Sequence, residues 1–250
     1  MNNFTIIANW KMNGSKEQVG SWVNIINDNL ESADQSSCIF CPPVCYLDVA
    51  KEIISNKNSR LNLGSQNIDP DQDYPSTGGV NGRMLKDIGC NYVLIGHSER
   101  RIHFNEQEDL LSKKLTSAVL NNLKVVYCVG ETKDQREKGL ATEVIKAQLQ
   151  ALKELPLSLI SVAYEPIWSI GKGITPSLDS IQEMHQFIKD ELKSIINTEE
   201  SIAVSYGGSV TADNAAPIAL LNSVDGLLIG GASLEPESFS KVVNNITIQD

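Results

Sequence analysis

Long hydrophobic runs are missing from this sequence, which argues against a membrane-spanning protein. No apolar stretch approaches the roughly 20 residues that a helix needs to cross a bilayer. The opening segment MNNFTIIANW has no lysine or arginine ahead of its apolar run, so it does not have the pattern of a secretory signal. The cytoplasm is therefore the expected compartment.

Positive charge is also scarce. The 250 residues include 21 lysines and arginines against 31 aspartates and glutamates, which gives a net charge of -10. Such a surface repels nucleic acids and anionic membranes, and no cluster of basic and aromatic residues offsets it. Neither is an expected partner. An anionic small molecule would need a local, positively charged site.

Cysteine is too sparse to suggest a disulfide framework. There are five cysteines, an odd number, in a chain long enough to fold without cross-links. Cys38 and Cys41 lie close together in the strand-like segment SSCIFCP. Residues three apart on a strand point to opposite faces, so we expect buried free thiols and no metal site.

Short apolar runs alternate with longer segments of helical period along the chain. The runs are nearly continuous, as in strands that are buried on both faces of a parallel sheet. Segments such as 141–155 and 179–196 instead repeat apolar residues every three or four positions. The apolar runs span residues 4–8, 38–41, 61–65, 92–96, 125–130, 159–164, 202–206 and 226–230.

Eight strand–helix units in a chain of this length predict an α/β fold, a (β/α)8 barrel with eight parallel strands. An open, doubly wound sheet is the alternative. It is disfavoured because ANWKMNG stands where a dinucleotide-binding sheet carries G-x-G-x-x-G after its first strand. No linker or change of composition divides the chain, so residues 1–250 are expected to form a single domain.

Polar side chains follow several predicted strands, whose carboxyl ends share one mouth of such a barrel. Asn9 and Lys11 follow the first strand, His97 the fourth and Glu165 the sixth. His97 directly precedes a helix start, which disfavours a second proton on its ring. A neutral imidazole can donate a hydrogen bond to a substrate carbonyl, and an ammonium group can stabilise an oxyanion. A structural role stays open for each residue taken alone.

Glycine-rich turns follow the last two strands, where barrels commonly bind phosphate through main-chain N–H groups. The first turn includes Ser209, and the second includes Gly230 and Gly231. Either turn alone could simply reverse the chain. Glu99, in the first turn of the helix after His97, is either a catalytic carboxylate or an ordinary charge at a helix start.

Six segments resemble the triosephosphate isomerase family in sequence, order and spacing. They are NWKMNG, IGHSERR, YCVGE, AYEPIWSIG, YGGSV and DGLLIGGASL, and they extend over essentially the whole chain. This family is a standard example of catalysis by a glutamate base and a neutral histidine beneath a closing lid. The resemblance implies interconversion of dihydroxyacetone phosphate and D-glyceraldehyde 3-phosphate, in glycolysis and gluconeogenesis, without a cofactor or metal.

The resemblance also implies a role for each matching position. Glu165 would remove and return the substrate proton, and His97 would polarise the carbonyl group. Asn9 and Lys11 would bind substrate and stabilise negative charge, with Glu99 a further catalytic candidate. The phosphate would be held by Gly171, Ser209, Gly230 and Gly231.

Residues 166–176 are predicted to form the lid over the site. Pro166 restricts Glu165 to extended backbone, because a residue before proline avoids the helical region. Trp168 and Ile170 offer apolar surface to cover the site. The family commonly has small residues at the far hinge, where this chain has Ile174-Thr175-Pro176. Because proline fixes one φ angle, altered rates of lid opening and closing are expected.

Family members are typically homodimers, and Thr77 matches the threonine that reaches the neighbouring site. After this threonine the family commonly has Gly-Glu, whereas this chain has Gly78-Gly79. A carboxylate that could pair with Arg100 across the interface is therefore missing. An exposed ion pair contributes only about 0 to 1 kcal/mol, so a homodimer is still expected.

Two other functions stay open at this point. A barrel enzyme acting on a different sugar phosphate would share the glycine-rich turns but use another base and electrophile. A non-catalytic barrel acting as a binding or scaffold protein would be expected to have lost at least one catalytic position. Glu165, His97 and Lys11 are all present, which favours the isomerase.

Overall fold

The computed structural model describes residues 4–31, 34, 37–71, 76–171, 173–197 and 200–247. Within them, eight parallel strands close into a barrel in chain order, and the first strand pairs with the last. The predicted (β/α)8 barrel is confirmed, and an open sheet is excluded. The strands are β1 (Thr5–Asn9), β2 (Cys38–Cys41), β3 (Asn62–Ser65), β4 (Tyr92–Ile95), β5 (Lys124–Val129), β6 (Ile160–Tyr164), β7 (Val204–Tyr206) and β8 (Gly226–Ile229).

Ten α-helices connect and follow the strands in the described part of the chain. They are α1 (Lys16–Asn29), α2 (Leu47–Asn56), α3 (Gly82–Ile88), α4 (Ser98–His103), α5 (Glu108–Leu120), α6 (Lys133–Glu137), α7 (Ala141–Leu149), α8 (Leu178–Ile196), α9 (Ala215–Ala219) and α10 (Pro236–Thr247). None of these helices has both the length and the apolar character needed to cross a bilayer.

The helix predicted for residues 141–155 is shorter than expected. The α-helix α7 ends at Leu149, and the chain continues as a 3-10 turn over Gln150–Leu152. Pro156 follows, and proline cannot continue a helix because it lacks a main-chain N–H. Pro156 thus keeps the helical turns from continuing, and the chain turns back into β6.

Alternate residues of each strand face two separate apolar layers. Side chains of one parity fill the barrel interior, and those of the other parity pack between the barrel and the surrounding helices. This arrangement explains why the strand runs carry apolar residues at both parities. The buried interior residues are Ile7, Ile39, Cys41, Leu94, Val126, Cys128, Ala163 and Leu228.

The cysteines of β2 follow this alternation. Cys38 packs in the outer layer and Cys41 in the barrel interior, and both are free and buried. The prediction of buried thiols on opposite faces is confirmed. Cys128, at the end of β5, is likewise free and fills the interior.

Candidate active site

A cavity of about 400 Å³ opens at the carboxyl ends of the strands. Its wall is built from the ends of β1, β4 and β6, from the lid, and from the turns after β7 and β8. It is lined by eight of the nine predicted site residues: Asn9, Lys11, His97, Glu165, Gly171, Ser209, Gly230 and Gly231. Glu99 is not among the described lining residues. Residues from five separate parts of the sequence therefore meet at one site.

Glu165 and His97 form a buried pair at the base of this cavity. Nε2 of His97 lies 3.0 Å from Oε1 of Glu165. The other carboxylate oxygen, Oε2, accepts a hydrogen bond from the main-chain N–H of Ser98 at 2.8 Å. The side chain of Glu165 is only 2% exposed and that of His97 only 7%. A buried carboxylate and an imidazole thus share one face of the cavity.

Main-chain contacts on two sides fix the position of Glu165. Its N–H donates to the main-chain oxygen of Val129, at the end of β5, at 2.8 Å. On the other side lies Gly207, where a Cβ atom would be 3.1 Å from Cγ of Glu165. A contact this close is tighter than nine in ten contacts of real Cβ atoms, so a side chain at position 207 would press on Glu165.

The position of His97 at the start of α4 assigns the proton of its neutral ring. His97 is the N-cap residue, and its Nδ1 accepts a hydrogen bond from the main-chain N–H of Glu99 at 3.3 Å. A ring nitrogen that accepts a hydrogen bond carries no proton. The neutral ring therefore carries its proton on Nε2, which faces Glu165.

The two side chains shift each other's pKa. Burial raises the pKa of Glu165, but His97, the N–H of Ser98 and the ammonium group of Lys11 together lower it below its ordinary value. Burial lowers the pKa of His97, but the adjacent Glu165 carboxylate outweighs this effect and raises it. The carboxylate is therefore ionised, as a general base requires. The upward shift on His97 depends on the carboxylate staying in contact with the ring.

Lys11 has an unusual backbone conformation that aims its side chain at the cavity. Its φ angle is 53°, in the left-handed region that costs a non-glycine residue of order 1 kcal/mol. The conformation is held from both sides, because its N–H donates to Oδ1 of Asn9 at 3.1 Å and its carbonyl accepts from Nε2 of Gln66 at 2.8 Å. Strain of this kind clusters at functional sites.

Gln66 was missed by the sequence reasoning. It immediately follows β3, and its Nε2 also donates to the carbonyl of Cys41 at 2.9 Å. It therefore ties the loop after β1 to the end of β2. Its place directly after a strand is the same signal that identified Asn9, and this signal could have identified Gln66.

Glu99 touches the site through Lys11 rather than through the cavity. Its Oε1 lies 2.7 Å from Nζ of Lys11, and its side chain is 44% exposed. Its Oε2 lies 3.6 Å from Nδ1 of His97. This geometry suits a carboxylate that orients the ammonium group, and a direct catalytic role for Glu99 stays a prediction.

Trp168, in the lid, is held by contacts with two side chains that follow β5. Its indole Nε1 donates to Oε1 of Glu131 at 2.9 Å, and the guanidinium carbon of Arg136 lies 5.0 Å from the ring centre. Trp168 is partly buried and is not among the described residues that line the cavity, whereas Ile170 is. These contacts give the indole N–H the partner that it needs when it is taken out of water. That Trp168 covers the site stays a prediction.

Glu131 is the second residue that the sequence reasoning missed. It is fully buried, and its Oε1 also accepts from Oη of Tyr164 and from Nη1 of Arg136, each at 3.0 Å. It ends the segment YCVGE, just after β5, but a single charge after a strand does not reveal partners as distant as Tyr164 and Trp168, which lie 33 and 37 residues further along the chain. Glu131 anchors the near end of the lid.

The far end of the lid is tied to the turn after β7. Oγ1 of Thr175 accepts a hydrogen bond from Nδ2 of Asn214 at 3.3 Å. Gly171 and Gly173 are exposed with φ angles of 68° and 66°, and Lys172 between them lies outside the described residues. Pro176 is buried just before α8, and its effect on lid motion stays a prediction.

Known proteins that are similar in sequence to this chain point to the same family as this geometry. The family model described as "Triosephosphate isomerase" matches residues 4–246. A triosephosphate isomerase of Francisella tularensis subsp. novicida is 39% identical over 244 residues, which cover 96% of this chain and 95% of that protein. Those of Finegoldia magna and Lawsonia intracellularis are also 39% identical, covering 96% of this chain and 97% and 96% of their own lengths. A barrel whose strand ends bring Glu165, His97 and Lys11 to one cavity, in a chain so similar to these proteins, belongs to the triosephosphate isomerase family.

Proposed function

We propose that the protein interconverts dihydroxyacetone phosphate and D-glyceraldehyde 3-phosphate by proton transfer through an enediolate, without a cofactor. The observation that carries this proposal is the buried contact of 3.0 Å between Glu165 and His97, on the wall of a cavity that also includes Lys11. A non-catalytic barrel would have no use for this arrangement.

In this mechanism Glu165 is the general base. Its carboxylate leaves Nε2 of His97 and the N–H of Ser98, and takes a proton from the substrate carbon next to the carbonyl group. The resulting carboxylic acid returns that proton to the neighbouring carbon. One proton moves within the substrate, so no oxidant or external acid is consumed.

His97 acts as the electrophile. The Nε2–H group donates a hydrogen bond to the substrate carbonyl oxygen and then exchanges protons between the two enediolate oxygens. When the Glu165 carboxylate turns to the substrate, the contact that raises the pKa of His97 is lost. Burial, the start of α4 and the ammonium group of Lys11 then lower the pKa of His97, against the remaining upward effect of Glu99, and this balance favours the neutral ring.

Although the protein is acidic overall, the cavity contains a positive charge that can attract the anionic substrate. Lys11 is the only cationic side chain among the described lining residues, and it packs against Gly230. Ser209, Gly230 and Gly231 line the same cavity, in the two turns whose main-chain N–H groups suit an anion. We assign the phosphate to this side, with Gly171 of the lid closing over it.

A coupled assay on the purified chain tests the proposal. After treatment with EDTA, the protein is expected to convert D-glyceraldehyde 3-phosphate to dihydroxyacetone phosphate with no added metal or cofactor. In heavy water, deuterium should enter the carbon-bound position from which Glu165 removes the proton. A folded protein with neither activity would contradict the proposal.

We propose further that two copies associate through an exposed apolar surface beside the site. This surface, termed the apolar face, consists of Met12, Val44, Met84, Ile102 and Phe104, which are 49% to 96% exposed. All five lie in the loops and helices that follow β1–β4 along the chain, and Met12 is adjacent to Lys11. Clusters of exposed apolar side chains mark interaction surfaces.

The chain's own contacts support such a dimer despite the missing carboxylate at Gly79. Arg100 pairs with Glu106 at 2.7 Å within the chain and lies over the ring of Phe104 at 4.4 Å, so it does not need a partner from a second copy. Thr77 is exposed in a turn, where it could reach a neighbouring site. Tyr74 and Pro75 of the same segment lie outside the described residues.

Replacing Phe104 by aspartate is expected to raise the Kd of this dimer about 10-fold or more, because it places a charge in the buried contact. Sedimentation velocity at micromolar concentration measures the effect. Leu220→Asp is the matched control, since Leu220 is 64% exposed against 65% for Phe104 but lies between β7 and β8, whereas the apolar face follows β1–β4. A monomeric wild-type protein would refute the dimer.

We also propose that residues 1–250 form one domain and that the protein acts in the cytoplasm. The single barrel and the family match over residues 4–246 support the first proposal. The second rests on the glycolytic substrate proposed above.

A further inference from the structure

Gly130, just past the end of β5, is in contact with both the base and the lid anchor. A Cβ atom at this position would lie 1.9 Å from the main-chain oxygen of Glu165, so only glycine fits. The residue before it, Val129, accepts the hydrogen bond from the N–H of Glu165. The residue after it is Glu131, whose main-chain oxygen accepts from the N–H of Ile167 at 3.2 Å. A displacement of this peptide would therefore move both Glu165 and the lid anchor.

The side chain of Gln148, on α7, holds both polar groups of Gly130. The Gly130 N–H donates to Oε1 of Gln148 at 2.8 Å, and Nε2 of Gln148 donates to the Gly130 oxygen at 3.1 Å. One planar amide thus pairs with a main-chain N–H and C=O together, as a neighbouring strand would do.

Such a side chain is needed because β4 stops early. The pairing of β4 with β5 ends at Ile95 and Tyr127, after which the chain turns to form α4. The end of β5 is left without a strand on that side. There, Nη2 of Arg101 donates to the main-chain oxygen of Cys128 at 3.2 Å, and Gln148 forms the hydrogen bonds at Gly130. Buried main-chain groups need partners, and these two side chains supply them.

We infer that Gln148 is a positioning residue for the isomerase reaction, which sets Glu165 and the lid anchor Glu131 through the Gly130 peptide. The inference rests on the proposed function. Gln148 is not among the described residues that line the cavity, so it acts on the substrate only through these neighbours.

Replacing Gln148 by leucine keeps the approximate volume but leaves both polar groups of Gly130 without their partner. Because misplacement of a catalytic group by about 1 Å can cost about 100-fold, we expect kcat to fall about 10- to 100-fold with KM changed by less than about threefold. Gln150→Leu is the matched control, since Gln150 is exposed two residues further on, and it should keep wild-type kcat. Circular dichroism confirms that each variant is folded.

A second readout separates positioning from a merely structural role. If the lid anchor also shifts, a larger fraction of turnovers should release inorganic phosphate, because the enediolate is less well enclosed. If the substitution only reduced the amount of folded protein, kcat per folded molecule and the fraction of turnovers that release phosphate would both equal the wild-type values. That result would overturn the inference.

Gln148→Glu tests the two hydrogen bonds separately and serves if the leucine variant does not fold. It keeps an acceptor for the Gly130 N–H but loses the donor to the Gly130 oxygen, so its kcat should lie between those of wild type and Gln148→Leu. Wild-type kcat in a folded variant at position 148, or an increase in KM alone, refutes the positioning role. Absence of isomerase activity in the wild-type protein would instead refute the proposed function.

Discussion

Replacing Glu165 by aspartate is expected to lower kcat about 100-fold while KM changes little. The substitution keeps the negative charge but withdraws the carboxylate by one methylene group. The Glu165 carboxylate now lies 3.0 Å from Nε2 of His97 and 2.8 Å from the N–H of Ser98, in a site that is almost fully buried. A buried site offers little freedom for the backbone to move and restore the lost reach. Steady-state kinetics in the coupled assay measure both constants.

The same change at an exposed position provides the control. Glu183, on α8, is exposed, so Glu183→Asp should leave kcat unchanged. If Glu165→Asp retained the wild-type kcat, Glu165 could not be the base. The proposed mechanism would then fail, even though the fold and the family would stand.

Replacing Lys11 by methionine is expected to lower kcat at least about 100-fold, the usual cost of removing one group that stabilises a developing oxyanion. KM should increase as well, because Lys11 is the only cation among the described lining residues and the substrate is a phosphate ester. Methionine keeps an apolar stem of similar length, so packing against Gly230 is largely preserved. The two constants are measured separately across the substrate range.

Glu99→Gln is the informative companion to this variant. It removes the carboxylate that lies 2.7 Å from Nζ of Lys11 but leaves the ammonium group in place. A small effect would show that Glu99 only orients Lys11, and a loss as large as that of Lys11→Met would establish a direct role. Wild-type kinetics in Lys11→Met would contradict the proposed charge stabilisation.

The barrel and its central site were predictable because both depend on local patterns. Apolar runs at both parities identified the strands, and polar residues directly after them identified Asn9, His97 and Glu165. The carboxyl ends of parallel strands in a closed barrel must meet, so no further information was needed to bring these side chains together.

The contacts of the residues that support the site from behind could not be predicted from the sequence, and the reason is physical. Gln66, Glu131 and Gln148 each act through a hydrogen bond to a segment distant in sequence, such as the pair of bonds between Gln148 and Gly130. Periodicity shows which face of a helix is buried, but not which main-chain groups are left without a strand. The contact of Trp168 was not predictable for the same reason, since its partner Glu131 precedes it by 37 positions.

The cysteines provide an intrinsic reporter of self-association. Cys45 is exposed and adjacent to Val44, whereas the other four thiols are buried, and burial raises the pKa of Cys38 to about 12. Since the thiolate is the reactive form, a maleimide dye should attach to the unmodified chain at one position, on the rim of the apolar face. Its rate of attachment at increasing protein concentration would follow the formation of pairs, without any engineered residue.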